Sequence, residues 1–93
     1  DVLSELVNNA RTRMLDANVV YVPKPVPCFL DGMEKYKVIG GRQTYRTKDR
    51  YYQWDEFHGE IEVYNKRGRH LGALDAVTGE LIKEAERGRT ISV

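Results

Sequence analysis

Beyond Gly41, apolar and polar side chains alternate with a period of two. Tyr52 and Trp54 share one parity and Tyr51 and Gln53 the other, and Ile61 and Val63 alternate with Glu60, Glu62 and Tyr64. Only an extended backbone places residues two apart on one face, so this half of the chain is confined to short strands. The punctuation agrees. Asn65-Lys66-Arg67-Gly68 reads as a turn, His70 to Leu74 as a strand, Asp75 to Gly79 as a turn, Glu80 to Ile82 as a strand, and Thr90 to Val93 as a candidate last strand.

The first half obeys other rules. Leu3, Leu6, Val7, Ala10, Met14 and Leu15 recur at three- and four-residue steps, which predicts an amphipathic helix over about residues 1–17 whose stripe serves as scaffold or as a docking face. Pro23, Pro25 and Pro27 then remove backbone donors at alternate positions and leave an extended edge or linker. Gly40-Gly41 marks a turn or hinge. The expected fold is therefore α+β: an N-terminal helix packed on a twisted antiparallel sheet of about four to six strands. A chain of 93 residues makes one domain, divided into a helix at 1–17, an extended Pro-rich and basic segment at 18–50 and a sheet bearing the site at 51–93.

With 41% hydrophobic residues the chain has enough apolar material to fold despite 31% charged residues. Its single cysteine, Cys28, excludes an internal disulfide and leaves a zinc site short of thiolates. No apolar run reaches the length of a membrane span, and no signal peptide is read in residues 1–17. A chain opening on Asp1 is expected to be part of a larger protein.

Net charge is only +1, but its distribution is uneven. Lys35, Lys37, Arg42, Arg46, Lys48 and Arg50 crowd one stretch, and Asp55, Glu56, Glu60 and Glu62 the next. A basic rim beside an acidic cluster suits an enzyme that holds a polyanion and moves protons on it; two solvated loops of opposite sign would give the same pattern.

On a strand, Glu60, Glu62 and Tyr64 project from one face, and Gly59 permits a bend that brings Asp55 and His58 over it. Crowded carboxylates raise one another's pKa and that of a neighbouring imidazole, which makes a general acid and a general base available near neutrality. Cleavage of RNA by its own 2′-hydroxyl needs those two groups and a cation to balance charge on phosphorus, for which Arg87 or Arg89 is available. The plainer reading is a strand face decorated with Glu beside a solvated His–Asp pair. Asp55, His58, Glu62 and His70 show no spacing diagnostic of zinc, so no metal and no cofactor is expected.

The run Tyr52-Gln53-Trp54-Asp55-Glu56-Phe57-His58-Gly59-Glu60-Ile61-Glu62-Val63-Tyr64 is followed by Gly68-Arg69-His70-Leu71-Gly72, by Asp75-Ala76-Val77-Thr78-Gly79 and by Arg89-Thr90-Ile91. In order and spacing, over about Tyr51 to Val93, this resembles the cytotoxic ribonuclease domain of the ribosome-inactivating colicins and cloacin. The resemblance implies a metal-independent endoribonuclease toxin that cuts 16S ribosomal RNA in the decoding region and stops translation in competitor bacteria. It places the family's catalytic Asp, His, second Glu and C-terminal Arg on Asp55, His58, Glu62 and Arg89. Glu62 is then the general base, His58 the general acid, Asp55 the group that orients the histidine and Arg89 the phosphate stabiliser, with Glu60 a further candidate on the same face. Tyr52, Trp54 and Tyr64 are candidates for base stacking, and Arg42, Arg46, Lys48 and Arg87 for phosphate contacts.

By the same resemblance the partners would be the ribosome as substrate and a cognate acidic immunity protein as inhibitor. The domain would pass from a secreted or cell-surface parent, such as a contact-dependent growth inhibition protein, into the cytoplasm of a target bacterium. Three alternatives compete: a toxin ribonuclease acting on tRNA or other RNA, a non-catalytic RNA-binding module, and a protein-interaction domain using its sheet edge.

Overall fold

The computed structural model describes residues 20–93. These form one six-stranded antiparallel sheet in which every strand lies beside its neighbour in sequence: β1 (Glu34–Ile39), β2 (Arg42–Arg46), β3 (Arg50–Asp55), β4 (Glu60–Asn65), β5 (His70–Leu74) and β6 (Leu81–Glu84). The α+β expectation is corrected accordingly. No helix occurs among the described residues, and their fold is all-β. The helix read over 1–17 lies outside the described residues. Thr90 to Val93 forms no strand; Thr90 makes a single antiparallel bridge with Arg69.

Both β1 and β2 fall within the segment read as extended and basic. Their turn is the Gly40-Gly41 pair, flanked by Ile39 opposite Arg42. Both glycines have positive φ, 62° and 81°, as a two-residue turn matched to the twist of a hairpin requires. The register shifts between Lys35 and Val38, so a bulge interrupts the alternation of β1.

The two faces of the sheet have different covers. On one, Tyr45, Tyr52, Ile61, Val63 and Leu74 form a buried cluster with Cys28 and Leu30, and Phe29, Met33, Trp54 and Leu71 pack against it. Cys28, Phe29, Leu30 and Met33 belong to the Pro-rich segment, which crosses this face as a lid without joining the sheet. Its backbone is tied down at two points, Val22 N–H to Glu56 C=O at 2.7 Å and Phe29 N–H to Ala76 C=O at 2.7 Å. The Trp54 indole N–H donates to the carbonyl of Val22. Cross-strand pairing groups Thr44, Gln53, Glu62 and Ala73 on the opposite face. There the chain buries polar groups: Thr44, Gln53, Asp55, Glu60, Glu62 and His70 are each at most 7% exposed. Burial of so many polar groups costs free energy unless they are paired, and their partners define the site.

Candidate active site

The turn joining β3 to β4 is built by Asp55. Its Oδ1 accepts the backbone N–H of Phe57 at 2.9 Å and of His58 at 3.3 Å, and Gly59 N–H closes onto the Asp55 carbonyl at 2.8 Å. Gly59 sits at φ 68°, and a Cβ there would lie 2.9 Å from Val22 Cγ1, so the bend needs glycine on both counts. His58 is thereby turned back over the polar face, where its Nδ1 lies 2.9 Å from Asp55 Oδ2. The ring is otherwise open, with 62% of the side chain exposed.

Asp55 and Glu60 are opposite one another across β3 and β4, and Glu62 lies one pair further along, opposite Gln53. Each carboxylate has a cation or an imidazole. Arg42 Nη2 approaches Asp55 Oδ1 at 3.4 Å, and Lys83 Nζ, from β6, holds Glu60 Oε2 at 2.8 Å. Glu62 Oε1 meets His70 Nε2 at 2.7 Å and Arg89 Nη1 at 3.7 Å. Asp55, His58, Glu60, Glu62, His70, Lys83, Glu86 and Arg89 line a cleft of about 130 Å³.

The electrostatics depart from the crowding argument. Burial pushes the Asp55 carboxyl up, but hydrogen bonds from the His58 ring and from the Phe57 and His58 N–H groups outweigh it, and the net position is below the ordinary carboxylate value. Arg89 loses basicity to burial and regains more from Tyr64, Glu62 and Glu86, which keeps it firmly a cation. Lys83 is raised by its bond to Glu60. Burial is the main cause that raises the Tyr64 phenol.

A pH dependence follows from Asp55. A depressed folded-state pKa contributes stability that is fully present above the unfolded value, ordinarily 3.8, and is lost as pH falls through the lower folded value. The gap in unfolding free energy between the native sequence and Asp55→Asn, read from urea titrations, is expected to be largest at neutral pH and to shrink toward about pH 2. A gap that stays constant with pH would remove the role given to the carboxylate charge.

Asp55, His58, Glu60, Glu62 and Arg89 are thus brought together around one cleft, with Arg42 at its edge. The remaining candidates are not. Tyr52 is 6% exposed within the core cluster, so it packs the lid side of the sheet and has no face for a base. Trp54 lies on that same lid side. Tyr64 is on the site face but 1% exposed, its ring against that of His70. Arg46 is engaged at the far end of β2, paired with Glu34 at 2.8 Å and laid over the Tyr36 ring. Lys48 is exposed in the β2–β3 turn, and Arg87 is exposed beside Arg69 and Arg89 in a neighbouring depression. Lys83 and Glu86 were not among the site candidates, and His70 was weighed only as a metal ligand. Pairing β4 with β5 across the Asn65–Gly68 turn brings His70 beside Tyr64 and Glu62, a signal that the hairpin carried in advance.

Donor atoms of Asp55, His58 and Glu60 lie within 4.8 Å of one another and could hold a cation. All three are already committed, Asp55 and His58 to each other and Glu60 to Lys83.

A family model described as Cytotoxic matches residues 29–92. The chain belongs to this family, the cytotoxic ribonuclease domain of the colicins. The match reaches back over β1 and β2, beyond the stretch from Tyr51 on which the resemblance rested. Among proteins of Escherichia coli, the chain is 44% identical to cloacin over 45 residues, 47% of this chain and 8% of cloacin. It is 39% identical to colicin E3 over 56 residues, 56% of this chain and 10% of that protein, and 31% identical to colicin-E6 over 102 residues, 96% of this chain and 18% of that protein. This cytotoxic domain therefore spans less than a fifth of the relatives it matches. Within the described residues, no helix is long and apolar enough to cross a membrane.

Proposed function

We propose that this cytotoxic domain is a metal-independent endoribonuclease that cuts 16S ribosomal RNA in the decoding region. The observation that carries the reading is the meeting of Asp55-bound His58, Glu62 and Arg89 on one cleft, each held by a partner that orients it. In the step, Glu62 takes the proton of a ribose 2′-hydroxyl and that oxygen attacks phosphorus. The bond to the 5′-oxygen breaks, His58 gives the departing oxygen its proton, and a 2′,3′-cyclic phosphate remains. Asp55 at His58 Nδ1 fixes the ring so that Nε2 faces the substrate, and Arg89 balances the charge that grows on the phosphoryl oxygens. Arg42 and Arg87 are suited to the flanking phosphates.

An acidic immunity protein that covers Arg42, Arg87 and Arg89 would block the same cleft in the producing cell. Delivery from a secreted or cell-surface parent, of colicin or contact-dependent inhibition type, into a target cytoplasm completes the proposal.

Primer extension on ribosomes incubated with the domain in EDTA tests it. A single new stop in the decoding region of 16S RNA is the expected result. Intact ribosomal RNA would reject that target and direct the assay to tRNA, and cleavage that needs added metal would reject the mechanism.

A further inference from the structure

One buried imidazole is left over by this chemistry. His70 opens β5 at 7% exposure, its ring edge-on to Tyr64 with centroids 5.3 Å apart. The backbone N–H of Glu86 donates to its Nδ1 at 2.9 Å. A backbone N–H can only donate, so Nδ1 presents a lone pair and the ring proton of the neutral imidazole sits on Nε2. The 2.7 Å bond between Nε2 and Glu62 Oε1 then runs from imidazole to carboxylate.

We infer that His70 is a positioning residue for Glu62: locked as its Nε2–H tautomer, it donates to Oε1, fixes the carboxylate and leaves Oε2 to take the 2′-hydroxyl proton. This rests on the role of Glu62 as base proposed above. Three bonds converge on His70, since its backbone N–H also donates to the Arg89 carbonyl at 3.0 Å. Arg89 N–H in turn donates to the Glu86 carbonyl at 3.1 Å, closing the turn that carries both residues. One residue thus ties the base to the segment bearing the phosphate-binding arginine. Arg89 Nη1 approaches Glu62 on that same Oε1, which leaves the second oxygen outside both interactions. An oriented third group behind a catalytic base is the general arrangement by which such a group keeps its geometry.

Two substitutions separate the two ring bonds. His70→Gln reaches with an amide N–H to the Nε2 position and keeps the donor to Glu62. His70→Asn places a carbonyl near the Nδ1 position, keeps an acceptor for Glu86 and loses the donor. Ribosome cleavage kinetics are expected to show His70→Asn reduced about 10- to 100-fold in kcat with KM little changed, and His70→Gln recovering most of the rate. Equal rates for the two variants would overturn the inference. Long-range nitrogen–proton correlation spectra of the unsubstituted domain supply a readout that survives misfolding of either variant. A protonated Nε2 and a bare Nδ1 are expected, and the reverse would overturn the assignment. Glu62→Gln is measured alongside. If it cleaves like the native sequence, the base assignment falls; if it is inactive while His70→Asn is not, only the positioning role falls.

Discussion

Replacing Glu62 by glutamine is expected to lower kcat for ribosome cleavage by about 10²- to 10⁴-fold, the range a positioned general base supplies. Glutamine keeps the shape of the side chain and can still accept from the Nε2–H of His70 through its amide oxygen. The fold is therefore expected to survive, and the loss falls on proton transfer. His58→Ala is expected to lower kcat by a similar factor, and the double variant to lose little more than either single one, since acid and base serve one step. Circular dichroism and unfolding midpoints run beside the kinetics. A Glu62→Gln domain that is folded and cleaves at the native rate would end the acid–base reading of this cleft.

The second large effect concerns stability. Ile61 is the residue between the two site glutamates, yet its side chain is fully buried on the opposite face, with Trp54 and Leu74 as its cross-strand partners. Truncation to alanine is expected to cost about 2–5 kcal/mol, and truncation to valine about 0.5–1.5 kcal/mol. In a domain of this size the former is a large share of the total stability. Urea unfolding followed by Trp54 fluorescence measures both. An Ile61→Ala midpoint equal to the native one would mean that the lid formed by residues 20–33 does not seal this face.

Much of the sheet was legible in the sequence where one face is fully covered. β4 alternates cleanly, and the bounds read for β5 from its flanking turns, His70 to Leu74, are those of the strand although its ladders carry register shifts. β1 was not legible: Lys35, Lys37 and Val38 are all exposed, so no buried face imprints a period, and the bulge breaks what period there is. β6, read as Glu80 to Ile82 from its flanking turn, is the strand Leu81–Glu84, exposed throughout at the other edge of the sheet. Alternation sorted Tyr52 and Trp54 from Tyr51 and Gln53, but it could not say which set meets substrate. That choice is made by Cys28 and Leu30, more than 20 residues away, which cover the Tyr52 side. The grouping of Asp55, His58 and Glu62 was readable because one turn and one strand hold all three. The Glu86 contribution is a backbone N–H, which no side-chain pattern reveals.

The strand order has a mechanical side. Each strand is bonded only to its neighbours in the chain, with no crossover anywhere in the sheet. Pulled from one end, such a meander can open its ladders one at a time only after the bonds from Val22 to Glu56, from Phe29 to Ala76 and from Tyr36 to Val93 have gone. Its ladders re-form by successive local hairpins, and the longer loops are closed only by the lid and the C-terminal contacts.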